Sequence, residues 1–345
     1  MAASKGTIIV TGANGSLGSA IVAKIVSTPE FAAYHGIYTV RDTASAPALN
    51  HALQTTQTTR PHNHDLLSLD LTDLTKIREI AASVNARVVA ADIPPIRVLI
   101  LNAGWQEYTT QTWTKDGFDM SFVSNYLGHW LLTMLLLQSM DRESGKIVVV
   151  GSLSHDTQAG QNNSGGQFVD PKWKVIFHDS TEPVAKGTWS TNKDDPSWCS
   201  GYRRYAASKM CELLMIGELQ RRVDMDPSLN KISVLGVDPG SMPTNIVRRA
   251  PWAIRTVLFS IMHLCASLVV WLMPNGPLRT TRKSAGDILA ASFDPNTNKG
   301  LYFDGSARAE MSPEARDPVK QRMLWTDTLK YTQLKSGETA LSNWT

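Results

Sequence analysis

The chain has 345 residues, with 34 basic and 31 acidic side chains and a formal net charge of +3. Apolar residues make up 42% and charged residues 19%, a balance that excludes a disordered, collagen-like or coiled-coil protein. The length allows one large domain or two small ones, and without a basic block nucleic acid is not an expected partner.

In chain order, residues 7–10 (TIIV) read as a strand, followed by a Gly-rich turn and a helix over 17–28. Residues 37–41 (IYTVR) read as a second strand, then a polar loop rich in Thr, His and Pro runs up to Asp65. Segments 66–71 (LLSLDL), 97–104 (RVLILNAG) and 146–152 (KIVVVGS) read as buried strands, separated by helical patterns at 73–91 and 118–140. Segments 233–240 (SVLGVDPG) and 300–303 (GLYF) add two more. Apolar strands alternating with helices predict a parallel sheet covered on both faces. Right-handed crossovers then give a doubly wound α/β fold of Rossmann type. There is no internal repeat. We expect one domain: a core over 1–245 with an insertion at 153–200, and a lid with a C-terminal extension over 246–345.

Two stretches break the rhythm. Residues 153–200 are polar, with Trp173, Trp189 and Trp198 interspersed; a loop of that length is functional or carries small elements of its own. Residues 256–273 are 18 residues with only Thr256, Ser260, His263 and Ser267 polar. Arg248, Arg249 and Arg255 precede them, and Arg279, Arg282 and Lys283 follow. As a helix the stretch reaches about 27 Å, short of a 30 Å hydrocarbon core. A buried lid, a membrane-dipping helix and a span are all open readings; a lid with peripheral membrane contact is favoured. Cys199, Cys211 and Cys265 are too few and too scattered for a disulfide framework or a zinc site, so no metal is expected. The start, MAASKGTIIV, carries no signal-like apolar core, so a cytoplasmic protein is expected, with the sequons at Asn162 and Asn343 unglycosylated.

The turn after the first strand is Thr11-Gly12-Ala13-Asn14-Gly15-Ser16-Leu17-Gly18. A strand, a Gly-rich turn and a helix start place backbone N–H groups and the helix dipole where a pyrophosphate binds. Asn102-Ala103-Gly104 ends another strand, and Asn125 opens NYLGHWLL. Ser152 follows VVVG, Tyr205 and Lys209 form YxxxK, and Pro239-Gly240 precedes Thr244. This ordered set resembles the short-chain dehydrogenase/reductase superfamily, and the Asn125 helix resembles its retinol-dehydrogenase-like members. The turn departs from the single-domain pattern TGxxxGxG, with Ser16 at its middle glycine, and matches TGxxGxxG of the extended branch. The later motifs favour the single-domain branch.

The resemblance implies a catalytic set of Asn125, Ser152, Tyr205 and Lys209. Tyr205 would exchange the proton, with the Lys209 ammonium favouring its phenolate. Ser152 would hold the substrate oxygen, and Asn125 would anchor a relay to solvent. Implied cofactor residues are Thr11, Gly12, Asn14, Gly15, Ser16, Leu17 and Gly18 in the turn, and Asn102, Ala103 and Gly104 beside it. Tyr205, Lys209, Pro239, Gly240 and Thr244 lie at the nicotinamide end, with Asp70 and Leu71 near the adenine. At the end of the second strand, Val40 stands where NAD-preferring members keep an acid, and Arg41 follows, suited to a 2′-phosphate. NADP(H) is therefore the expected cofactor, although Asp42 is adjacent. His62 and His64 read as loop residues, and His155 and His178 have no nucleophile pattern around them.

The expected activity is NADPH-dependent reduction of a ketone on a bulky lipophilic substrate, a polyketide or terpenoid intermediate of secondary metabolism. A 3-keto-steroid reductase is the alternative within the class. An extended-type epimerase or dehydratase and a non-catalytic NADP sensor are the competing classes. Resemblance to the family also makes a homodimer an expected assembly.

Overall fold

Strand segments such as TIIV and KIVVV present apolar side chains alternately to both faces, so they need cover on both. The computed structural model describes residues 4–54, 62–250, 252, 256, 259–296 and 299–345. Its strands are β1 (Thr7–Val10), β2 (His35–Val40), β3 (His64–Ser68), β4 (Ile96–Leu101), β5 (Lys146–Val150), β6 (Ser233–Asp238), β7 (Tyr302–Asp304) and β8 (Ala307–Ala309). They form one sheet in the order β3-β2-β1-β4-β5-β6-β7-β8, parallel except for the last pair. This is the doubly wound order 3-2-1-4-5-6 with an added hairpin edge.

The helices are α1 (Ser16–Ser27), α2 (Pro29–Ala32), α3 (Pro47–Gln54), α4 (Leu74–Val89), α5 (Gly128–Leu136), α6 (Glu182–Ala185), α7 (Trp198–Met225), α8 (Phe259–Leu272), α9 (Thr281–Phe293) and α10 (Pro318–Thr332). On one face Ile77 of α4, Trp130 of α5, Leu214 of α7 and Trp325 of α10 pack with Ile9 and Leu99 of the sheet. On the other, Ile21 of α1, Leu49 of α3 and Ile288 of α9 pack with Ile8, Val10 and Val98. The expected α/β class and the single sheet are what the structure shows.

Several boundaries differ. The strand expected at 66–71 is β3, His64–Ser68, in register with β2 from Gly36–His64 to Val40–Ser68. It is an edge strand with exposed ends, so its apolar pattern does not mark its start. Asp70 therefore lies beyond the strand, its carboxylate accepting from Thr72 N–H at 2.9 Å. The polar loop up to Asp65 contains α3, which opens on Pro47 and buries Leu49 and Ala52; residues 55–61 of that loop are outside the described residues. The helical pattern 118–140 begins with a π-helical turn, Phe122–Leu127, before α5. The last expected strand sits at Tyr302–Asp304, and β8 follows it without an apolar pattern to announce it.

The insertion 153–200 carries short 3₁₀ turns and α6, and buries its own Phe168 and Phe177 fully. Among the described residues no helix is long and apolar enough to cross a membrane; residues 257–258 of the apolar stretch lie outside the described residues. The basic bracket around that stretch is also thinner than expected. Arg279 is buried against Asp304 and the Asp238 carbonyl, Lys283 pairs with Asp287 at 2.6 Å, and Arg255 lies outside the described residues.

Candidate active site

At the C-terminal end of β1 the chain must turn sharply into α1. Gly12 has φ +66°, and a Cβ there would meet the Ala103 Cα at 2.8 Å. A Cβ on Gly18 would lie 2.3 Å from the Gly12 carbonyl oxygen, so only glycine lets the helix start close on the turn. Gly15 occupies the N-cap of α1 with no side-chain cap. The first N–H groups of a 12-residue helix thus face the cleft without an internal acceptor, a donor set suited to a pyrophosphate. Ser16, at the departed glycine position, accepts from Asn245 N–H at 3.2 Å and ties the turn to the segment after Pro239-Gly240.

One cleft of ≈1560 Å³ runs from this turn along the carboxyl ends of the strands. It exceeds the volume one small ligand needs. Gly12, Asn14, Gly15, Ser16, Leu17 and Gly18 line it, together with Arg41, Asp70, Leu71, Asn102, Ala103, Gly104, Pro239, Gly240 and Thr244. Thr11 is the exception among the expected cofactor residues. It is fully buried and its hydroxyl accepts from Asn102 and Ala103 N–H at 2.8 and 3.0 Å, with His129 Nε2 at 2.9 Å. Thr11 holds two strand ends together and does not reach the cleft. Asn14 lines the cleft, but its side-chain Oδ1 also accepts from Ala48 and Leu49 N–H at the start of α3.

Three guanidinium groups gather around Trp105, next to Gly104. Arg41, Arg248 and Arg249 lie 5.8, 5.7 and 3.5 Å from its ring centroid. Burial and the neighbouring cations pull Arg248 downward from its ordinary value, and burial and Arg41 pull Arg249 down against the opposing attraction of Glu107. Sequence reading singled out Arg41 but missed Trp105 and gave Arg248 and Arg249 only a flanking role.

The 28-residue helix α7 starts at a Ser197 cap and carries Tyr205 and Lys209 four residues apart on one face. Ser152 stands just beyond β5, near enough to the Tyr205 hydroxyl to draw the phenol downward, and accepts from Ser154 N–H at 3.2 Å. Lys209 Nζ donates to the Val150 carbonyl at 3.0 Å and to both Glu212 oxygens at 2.9 and 3.1 Å, 5.8 Å from the Tyr205 ring centroid. Burial pushes the Tyr205 phenol up, Glu212 and Asp238 push it further, and the Ser152 hydrogen bond pulls it back. Asp238 is itself buried and raised to about 6 against the pull of Gly240 N–H.

Asn125 lies deeper in the fold. Its side chain is fully buried, accepting from Trp105 N–H at 2.7 Å and donating to the Trp105 carbonyl and to Ser208 Oγ. It braces the loop after Gly104 against α7 from behind the cleft. Glu212 and Asp238 were missed, although Tyr205, Lys209 and Glu212 repeat at i, i+4 and i+7. The competing tyrosine, Tyr202, donates to Asn162 Oδ1 at 3.0 Å and fastens the insertion.

Beyond Tyr205 the cleft has two unlike walls. Gln161, Asn162, Ser164 and Gln167 of the insertion make one; Met242, Ile246, Met262 and Met273 make the other. Of the insertion's tryptophans only Trp198 lines the cleft; Trp173 and Trp189 pack edge to face on each other. The insertion is anchored by the first turns of α7, where Arg203 pairs with Asp195 and Arg204 meets the buried Asp119 at 3.2 Å. No group of His, Cys, Asp and Glu suited to a metal occurs among the described residues.

A doubly wound sheet, a phosphate-binding turn after β1, and a serine, tyrosine and lysine meeting at one cleft define an oxidoreductase that works with a dinucleotide. The short chain dehydrogenase family pattern matches residues 6–164. A short-chain dehydrogenase, iccH, of Talaromyces variabilis is 45% identical over 99% of both chains. Human retinol dehydrogenase 13 is 29% identical over 96% of this chain and 85% of its own. Among solved structures, an NADPH-bound carbonyl reductase from chicken fatty liver aligns with a TM-score of 0.56 at 16% identity, covering 90% of this chain and 100% of that one. The chain belongs to the short-chain dehydrogenase/reductase family, whose members use NAD(P)(H).

Proposed function

We propose that this protein is an NADP(H)-dependent carbonyl reductase that interconverts a ketone and a secondary alcohol on a bulky, lipophilic substrate. The observation that carries the reading is the meeting of Ser152, Tyr205 and Lys209 where the dinucleotide end of the cleft joins its two-walled end. The cation cluster of Arg41, Arg248 and Arg249 supports the 2′-phosphorylated cofactor, since three guanidinium groups gather beside the end of β2 and a planar fork suits a phosphate. The α1 N-terminus would hold the pyrophosphate, and Lys209 would reach the nicotinamide ribose. When bound, the nicotinamide supplies or accepts the hydride. Ser152 orients the carbonyl oxygen, and Tyr205 gives it a proton as the carbon is reduced. Methionines on one wall and amides on the other suit an intermediate with an apolar skeleton and several oxygens, such as a polyketide or terpenoid.

The same reading gives α8 a membrane surface as its neighbour. Its outward stripe of Ile261, Leu264, Leu268 and Trp271 is apolar, with Leu264 83% and Trp271 78% exposed. Arg282, exposed beyond the helix, suits anionic headgroups. A second copy seated there would bring like charges to one interface. Peripheral contact with an intracellular membrane would deliver a lipophilic ketone to the face of α8 that carries Met262.

The test is fluorescence binding of NADPH and NADH, followed by turnover on a panel of lipophilic ketones. NADPH should bind at least about ten-fold tighter than NADH. Tyr205→Phe should keep NADPH affinity and lose roughly 10²–10⁴ in rate. Turnover at the wild-type rate in that variant would refute the assignment.

A further inference from the structure

The loop from Trp105 to Thr112 passes the reacting end of the cleft, and the proposed chemistry uses none of its side chains. Its backbone is pinned from several sides. Asn125 holds both the N–H and the carbonyl of Trp105, at 2.7 and 2.9 Å. Gly201, one turn of α7 before Tyr205, donates its N–H to the Tyr108 carbonyl at 3.2 Å. A Cβ on Gly201 would lie 2.3 Å from that carbonyl oxygen, so the close approach needs glycine. Arg204 Nη2 donates to the Thr110 carbonyl at 2.7 Å. Glu107 turns onto Thr112, accepting from its N–H and its hydroxyl at 3.1 and 2.7 Å. Gln106 and Tyr108 are different. They line the cleft and are only 6% and 5% exposed, yet among the described residues no hydrogen bond reaches the Gln106 amide or the Tyr108 hydroxyl. Burial pushes the Tyr108 phenol up, and the neighbouring Tyr205 and Tyr202 add to that, so it stays a neutral hydroxyl close to the reacting pair. A polar group buried without a partner weakens a fold, and Met or Phe in these places would avoid the penalty. Two such groups, on a loop held this firmly, are accounted for by a molecule that enters the cleft.

We propose that Gln106 and Tyr108 are specificity-determining residues that together bind a second, uncharged oxygen of the substrate, a hydroxyl or a further keto group, near the carbonyl held by Ser152 and Tyr205. The inference rests on the carbonyl-reductase reading and narrows its substrate class to oxygenated ketones. A carboxamide and a phenol each donate and accept, which matches a hydroxyl or a carbonyl. An anionic group would call for a cation in this place. The charged side chain of the loop is instead the acid Glu107, which attracts Arg249. The other phenol at this end, Tyr202, already donates to Asn162 and leaves the recognition to Tyr108. A plain hydrocarbon ketone would cover both groups and pair neither, so the site discriminates against it by more than a missing contact.

The experiment takes 1-tetralone, its hydroxylated isomers and a carboxylated one as probes. Each is titrated with NADP⁺ present, and binding is read from quenching of Trp105 and Trp198, the tryptophans that line the cleft. NADP⁺ has no hydride to give, so affinity alone is measured and a fruitless turnover panel has no bearing on the outcome. The wild type should bind at least one hydroxylated isomer about ten-fold tighter than 1-tetralone. Tyr108→Phe and Gln106→Met should each cut that preference by about three- to ten-fold. Affinity for 1-tetralone should change less than about twofold, and the melting temperature should equal or exceed that of wild type. Equal binding of all the ketones by the wild type overturns the proposal, as does tightest binding of the carboxylated one. A preference kept in both variants overturns it too. A loss of NADPH affinity of about ten-fold would make the cofactor the partner of these groups, and a melting temperature lowered by about 5 °C or more in both variants would make it the fold; either result overturns the proposal. Each variant is read by itself, so one that fails to fold leaves the other to decide.

Discussion

Arg41 is exposed, its guanidinium 5.8 Å from the Trp105 ring centroid, and it faces the cleft with two further arginines beside it. A single charge-assisted pair to a phosphate is worth about 1.5–3 kcal/mol. Arg41→Ala should therefore weaken NADPH binding by roughly ten- to a hundred-fold and leave NADH binding nearly unchanged; equal losses for both would mean that Arg41 contacts something common to the two. At this scale, spacing made Ser152, Tyr205 and Lys209 legible, because a four-residue interval on a helix fixes a shared face. Thr11 and Asn125 belong to the right motifs, and their side chains are buried among neighbouring protein groups. A motif gives a residue's address, but whether its polar atoms face the cleft or a neighbouring backbone depends on which partner is nearer. For Thr11 the partners are Asn102 and Ala103, and for Asn125 they are Trp105 and Ser208. Glu212 lies in plain view on the Tyr205 row, yet nothing local tells a buried glutamate from a solvated one.

Among the elements, α8 is the one whose surroundings are least like a protein interior. It has 14 residues, about 21 Å of helix, with Ala266 buried beneath and aliphatic side chains outside. The full-length protein should co-sediment with anionic phospholipid vesicles at low salt. Changing Leu264 and Leu268 together to Asp should weaken this at least about ten-fold while NADPH binding persists, since each leucine withdrawn from lipid costs about 1.5–3 kcal/mol. Undiminished sedimentation would assign the vesicle contact elsewhere. The apolar run announces this helix, but sequence alone leaves a span open because residues before Phe259 share its composition. The opposite error arises at β3 and α3. There the pattern is polar because an edge strand and a surface helix bury only one side, so the apolar signal starts β3 late and hides α3 within a loop-like stretch.

For the whole molecule, the sheet order follows from buried strands alternating with helices, whereas the closing of the chain on itself has no sequence signal. Leu341 is buried, Trp344 offers its carbonyl to Trp325 Nε1 at 2.7 Å, and Ser342 donates twice to Asp226 at 2.8 Å. Burial raises the Asp226 carboxyl, but the hydrogen bonds from Ser342 and Ser228 outweigh it and hold the group down at about 2. Against an unfolded value near 4, the depressed value contributes stability of about 2 kcal/mol that is fully present above pH ~4 and is lost as pH falls through ~2. Thermal melting across that window should show Asp226→Asn less stable than wild type at pH 6, with the gap closing toward pH 2. A constant gap would place the acid sensitivity in other groups.

The two walls of the substrate end have separate origins in the chain. One is an excursion between β5 and α7, the other a stretch between β6 and α9, and neither supplies a strand to the sheet. Reaction and recognition are thus inherited as separate modules. A gene in this lineage can trade one excursion for another and acquire a new substrate while Ser152, Tyr205 and Lys209 keep their places.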